Sequence, residues 1–239
     1  MCKNTQANNK FSLPETYNKQ QLLYHAQKLL EAQQKMQSME GKNIVHYTLQ
    51  NHAYHLKMQH YPKGDRIDHQ SGAQYFYHCH RENMDSLEHG HFHCFLRYKQ
   101  IPEKIKPKKI ANWDKFINNP MTHIIAIAMN CYGEPIRLFS VNRWVSEEIC
   151  YSAEHTSEFI NRFNLQLADS SYWSILDEWV QAMLKIFAPQ IVWVNQQRDL
   201  YLEDKSSKRK SFSIYDDKKV EELSSISINI AEQIRWIMS

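Results

Sequence analysis

The chain reads as an α+β protein built on a central antiparallel sheet, with one helix before the sheet and further helices after it. Three observations predict this. A helical repeat of leucines lies near the start, two pairs of aromatic or β-branched runs joined by turn residues fill the middle, and apolar stripes at helical spacing follow residue 150. At 42% hydrophobic residues the 239-residue chain can bury a substantial core, which argues against global disorder. The pattern is continuous, without internal repeats, so residues 1–239 are expected to form a single domain with a loose N-terminus over about residues 1–12.

The elements follow in order. Ser12 and Glu15 fit a capping box ahead of Leu22, Leu23, Ala26, Leu29 and Leu30, which recur at helical spacing to about Gln37, with Gly41 as a stop. Residues 43–60 mix both periods. Pro62, Gly64 and Asp65 make Tyr61 to Asp68 an expected exposed loop. QYFYHCHR (74–81) and HGHFHCFLR (89–97) then read as two strands of a hairpin turning through Asn83, Asp85 and Ser86. A second hairpin pairs THIIAIAMN (122–130) with IRLFSVNRW (136–144) through Gly133 and Pro135. Tyr172, Ile175, Leu176, Trp179, Met183, Leu184 and Phe187 form one apolar stripe behind Asp169 or Ser170 as N-cap, expected to pack on the aromatic face of the first hairpin. Pro189 opens another helix through Ile191, Val194 and Leu200, EDKSSKRKS (203–211) is an exposed basic loop, and a last helix covers much of 218–238.

Charge and composition narrow the function classes. Lys and Arg number 29 against 26 acids, too even for an obligate nucleic-acid binder, so the expected partner is a small molecule of unspecified class. No run of about 18 apolar residues suggests a membrane span, and the opening residues lack the apolar core of a secretory signal. Five cysteines without CxxC spacing suit a reducing compartment, so a cytoplasmic location is expected. P-loop, GxGxxG, GxSxG and HExxH motifs are absent.

Thirteen histidines, ten of them clustered between His46 and His93, demand explanation. In an antiparallel pair, opposing residue numbers sum to a constant. An odd sum of 169 sets His78 opposite His91 and His80 opposite His89, and it gathers Phe76, His78, His80, His89, His91, His93 and Phe95 on one face. The other face then carries Tyr75, Tyr77, Cys79, Phe92, Cys94 and Leu96, whereas an even sum mixes the two sets. Cross-strand neighbours lie roughly 5 Å apart at Cβ, close enough for imidazoles to converge on one ion. His78, His80, His91 and His93 are therefore the candidate ligands of a divalent transition metal, Zn, Fe, Mn or Ni. Glu82, Glu88 and His89 are the candidate catalytic groups, Asp65 or Asp68 a possible further carboxylate, and His123 could reach the same site. His25, His46, His52, His55, His60, His69 and His155 read as structural or solvated. Arg137, Asn142 and Arg143 could meet an anion.

Two resemblances attach to these residues. GDRID (64–68), QYFYHCHR, EHGHFHCFLR (88–97), NRWV (142–145) and PQIVWVNQQRDLYL (189–202) resemble a bacterial family catalogued only as a domain of unknown function, over most of the chain from about residue 20. That resemblance implies one continuous domain and no particular reaction. HGHFHCF (89–95) is similar to the histidine-triad pattern of nucleotide hydrolases and transferases, which implies His91 as nucleophile flanked by His89 and His93. Gly90 and the preceding DSLE depart from that pattern. Three classes thus stand: a metal-dependent enzyme, a histidine-triad-like enzyme, and a non-catalytic binding or interaction protein.

Overall fold

A computed structural model describes residues 11–14, 17–40, 43–50, 59–79, 87–110, 112, 118, 120–167, 172–208 and 213–239. The expected Glu15, Asp169 and Ser170 caps, the 83–86 turn, and the candidates His80 and Glu82 lie outside these residues. Six strands, β1 (Tyr61–Ile67), β2 (Ala73–Cys79), β3 (Gly90–Arg97), β4 (Met121–Met129), β5 (Pro135–Val141) and β6 (Glu222–Ser227), form one antiparallel sheet in sequence order. Helices α1 (Lys19–Glu40), α2 (Ile44–Leu49), α3 (Arg143–Ser146), α4 (Thr156–Arg162), α5 (Trp173–Ile186), α6 (Ala188–Lys208) and α7 (Ile230–Met238) complete the α+β architecture.

α1 begins later than the Ser12 capping box would place it. Asn18 supplies the start, its side-chain oxygen accepting the Gln21 backbone N–H at 3.2 Å. Leu22, Ala26, Leu29 and Met36 form its buried stripe, while Leu23 and Leu30 remain half exposed. α5 carries the buried row Leu176, Trp179, Val180, Met183 and Leu184 and packs on the sheet, with the Trp179 and Phe92 ring centroids 5.6 Å apart. Pro189 sits in the first turn of α6, where its missing N–H costs nothing. Further along α6, Asn195 donates to the Ile124 carbonyl and Ser224 Oγ donates to the Val194 carbonyl, which clamps the helix onto β4 and β6. Tyr75, Tyr77, Phe92, Cys94, Leu96, Ile125, Ile127 and Leu138 meet these helices in one continuous apolar core.

Three segments differ from expectation. Tyr61 to Ile67 is the edge strand β1 rather than a loop, because Gly64 (φ 88°) and Asp65 (φ 61°) bend the chain inside the strand as a bulge instead of ending it. Residues 203–208 continue α6, so the expected 203–211 loop is helical through Lys208 and residues 209–212 lie outside the described ones. The last helix begins only at Ile230, where Asn229 accepts the Glu232 N–H, and Glu222–Ser227 is instead a sixth strand on β5. Arg66, 9% exposed, pairs through Nε and Nη2 with Asp177 of α5, and the Tyr75 hydroxyl donates to the same carboxylate at 2.7 Å. This buried array ties the sheet edge to the helix layer. No helix among the described residues is long and apolar enough to cross a membrane.

Candidate metal centre

β2 and β3 pair in the odd register: His78 faces His91, Phe76 faces His93 and Tyr77 faces Phe92. Period-2 alternation then separates the two surfaces of the sheet. One holds the helix-covered core. The other carries the imidazoles between Phe76, Phe95 and Met121 on β2, β3 and β4 and Ala126, Ala128, Phe139 and Val141 on β4 and β5. His78, His91 and His93 are 5%, 6% and 3% exposed, and one ring nitrogen from each lies within 4.8 Å of the others. Their rings meet edge to face, with centroid separations of 4.5 Å for His78–His91, 4.6 Å for His91–His93 and 5.0 Å for His78–His93.

The hydrogen bonds fix how the rings present themselves. Glu88 Oε1 accepts from His91 Nδ1 at 3.0 Å, so the His91 proton sits on Nδ1 and its Nε2 lone pair faces His78 Nε2 at 2.8 Å. Glu88 Oε2 accepts from Arg137 Nε and Nη2 at 3.0 and 2.9 Å, and Arg137 Nη1 continues to Glu222 at 2.6 Å. Partial burial raises the Glu88 carboxyl, yet the His91 bond and the Arg137 guanidinium outweigh it and hold the group below the usual carboxylate range. Glu88 is thus a carboxylate anchor behind a histidine, an arrangement that raises the basicity of a ligating imidazole.

These contacts suit a metal ion. Two imidazole nitrogens bound to one ion at about 2.1 Å and a tetrahedral angle stand roughly 3.4 Å apart, so His78 and His91 need to part by about half an ångström. Three buried imidazoles, one already backed by a carboxylate, match a three-histidine set.

Other candidates fall elsewhere. His89 precedes the first strand residue and turns to the opposite surface, where its Nδ1 meets the Tyr77 hydroxyl at 2.7 Å and its ring stacks on Tyr77. Gly90 permits this, since a Cβ there would lie 2.4 Å from the His78 carbonyl and 2.7 Å from the Tyr77 hydroxyl. His89, His91 and His93 therefore do not share a face, and the histidine-triad arrangement is not formed. Asp68 is occupied as a turn cap, accepting backbone N–H groups of Gln70, Ser71 and Gln166. Asn142 caps α3 and bonds the carbonyls of Ile214 and Val220, and Arg143 pairs with Asp216, so neither awaits an anion.

Two further histidines join the face. His123 comes within 3.0 Å of His93 Nδ1 through its Nε2, as β4 allowed. Complete burial, with the Arg198 guanidinium adding repulsion, lowers the His123 pKa to about 3, so its ring is neutral. His60, read from sequence as structural or solvated, stacks on Phe76 at 3.6 Å, lies 6.2 Å from the His78 ring and bonds Asp65 at 2.8 Å. Reading Tyr61 to Asp68 as a loop concealed it. Cys79 and Cys94 are buried on the apolar side, and burial pushes both thiols up, as their strand parity implies.

No curated protein and no solved structure matches this chain. A family model does, over residues 23–228, and the chain belongs to that family, a domain of unknown function designated DUF6969.

Proposed function

We propose that this protein holds a divalent transition metal on His78, His91 and His93 and is a metal-dependent enzyme acting on a small molecule. The observation that carries the reading is the convergence of three buried imidazole nitrogens within 4.8 Å, one of them backed by the Glu88 carboxylate. Neutral ligands leave the charge of an ion uncompensated, and such an ion polarises bound water or a substrate oxygen as a Lewis acid. Glu88 and Arg137 orient His91, and His60, beside the face and partly exposed, marks the side from which a small molecule would approach. The continuous core, which holds Leu22 of α1 and Ile237 of α7 alike, supports one α+β domain. Free Cys79, Cys94, Cys131 and Cys150 fit a reducing, cytoplasmic setting.

Metal content of untagged protein, measured by mass spectrometry, tests the reading. About one equivalent of Zn, Fe, Mn or Ni is expected, lost in both His78→Ala and His91→Ala. Absence of metal, with no thermal stabilisation by any of the four added ions, refutes it. A protein that binds metal stoichiometrically but turns over no substrate would instead fit the non-catalytic binding class.

A further inference from the structure

His123 reaches the histidine face only because β4 breaks register. Gly90 to Cys94 pair regularly with Met129 to Ile125, but Phe95 then pairs with His123, so Ile124 is an extra residue in β4. Had the ladder run on, Phe95 would oppose Ile124, and His123 would point into the helix-covered core. The bulge is held in place. Glu148, itself 3% exposed, accepts the His123 backbone N–H at 2.8 Å and the Thr122 hydroxyl at 3.2 Å through Oε2, and the Ser146 hydroxyl at 3.0 Å through Oε1. A buried carboxyl is thus committed to a backbone irregularity that turns His123, and Met121 with it, onto the histidine face.

The His123 imidazole meets His93 Nδ1 at 3.0 Å. Since one of the two nitrogens must carry the proton, the contact fixes a pair of tautomers. Taking the metal reading above as its basis, we infer that His123 is a positioning residue: its Nε2 accepts the His93 Nδ1 proton and so aims the His93 Nε2 lone pair at the metal. The centre then has two unlike supports, an anionic carboxylate behind His91 and a neutral imidazole behind His93. Outer partners of this kind are worth roughly 10- to 100-fold in metal affinity.

Two measurements on the untagged full chain test this. In metal-free wild-type protein, nitrogen-15 NMR of the histidine rings should find the proton on Nδ1 in both His93 and His123. A proton on His93 Nε2 overturns the assignment. Zinc affinity, measured by competition with a chelating dye, should fall roughly 10- to 100-fold in His123→Leu, which has no acceptor. It should stay within about threefold of wild type in His123→Gln, whose amide oxygen can accept the same proton. Equal losses in both variants, or none in His123→Leu, overturn the positioning role. If the leucine variant does not fold, the NMR result on wild-type protein still decides. A wild-type chain that binds no zinc, manganese, iron or nickel refutes the metal reading, and the tautomer result stands apart from it.

Discussion

Replacing Gly90 with alanine should destabilise the protein and loosen the histidine face together. The added Cβ would lie 2.4 Å from the His78 carbonyl oxygen, 2.7 Å from the Tyr77 hydroxyl and 2.9 Å from Cys79 Cα, against ordinary contacts of 3.4–4 Å. Two of those three atoms are sheet backbone and the third is a hydroxyl fixed on His89, so β2 and β3 must part locally by roughly 1 Å. Overpacking of this kind costs about 1–3 kcal/mol, and rigid partners put the effect near the upper end, about 3 kcal/mol. At roughly 2–4 °C per kcal/mol for a chain of this size, Tm should fall by about 6–12 °C. Gly64→Ala is the control, since Gly64 has φ 88° with nothing within 4 Å of its would-be Cβ. It should lose only about 1 kcal/mol, from backbone strain. Urea unfolding followed by tryptophan fluorescence measures both. An alanine at position 90 within 0.5 kcal/mol of wild type, or no more harmful than the one at 64, would refute the packing argument.

Three other outcomes are expected. Glu88→Gln in chelator-treated protein should cost about 2 kcal/mol at pH 7, because the charge-assisted bonds to His91 and Arg137 are lost and the site is partly exposed. The Glu88 carboxyl lies below its ordinary value in the folded chain, so its contribution is complete above about pH 5 and fades as pH falls through the folded pKa. The wild-type advantage over Glu88→Gln should therefore shrink on acidification, as read from denaturant curves between pH 7 and pH 3. Asp177→Ala should cost about 3–5 kcal/mol by removing the bidentate partner of the buried Arg66, measured by calorimetry. Zinc at 100 times its Kd should stabilise wild type by about 2.7 kcal/mol, and His91→Ala should abolish the gain.

The first hairpin was the most legible part of the chain, because one register sorts aromatic residues from histidines and the alternative does not. Pairing of His78 with His91, and of Trp179 with the aromatic face, followed from that sorting. Legibility failed where the backbone departs from periodicity. The Ile124 bulge leaves no mark in THIIAIAMN, since isoleucine suits either side of a strand, so the exact route of His123 to the face was hidden. Gly64 and Asp65 signal a turn, but the same residues serve a bulge, and local chemistry does not separate the two. His89 kept the right parity and still left the face, because a residue before the first strand pair is not bound by alternation. Serines in ELSSIS gave β6 no apolar rhythm, and its pairing to β5 comes from tertiary context. The polar 203–208 segment has the composition of a solvated loop, yet Glu and Lys are good helix formers and α6 runs through it.

β1 carries one more consequence. It lies at the margin of the sheet, with β2 on one side, and a free margin invites another strand to dock. Pro62 offers no N–H there, Lys63 is exposed, and the bend at Gly64 and Asp65 breaks the run of evenly spaced amides between Tyr61 and Arg66. A chain approaching sideways finds no ladder to extend. The segment with the chemistry of a loop therefore closes this edge of the sheet, on the β1 side, to lateral pairing.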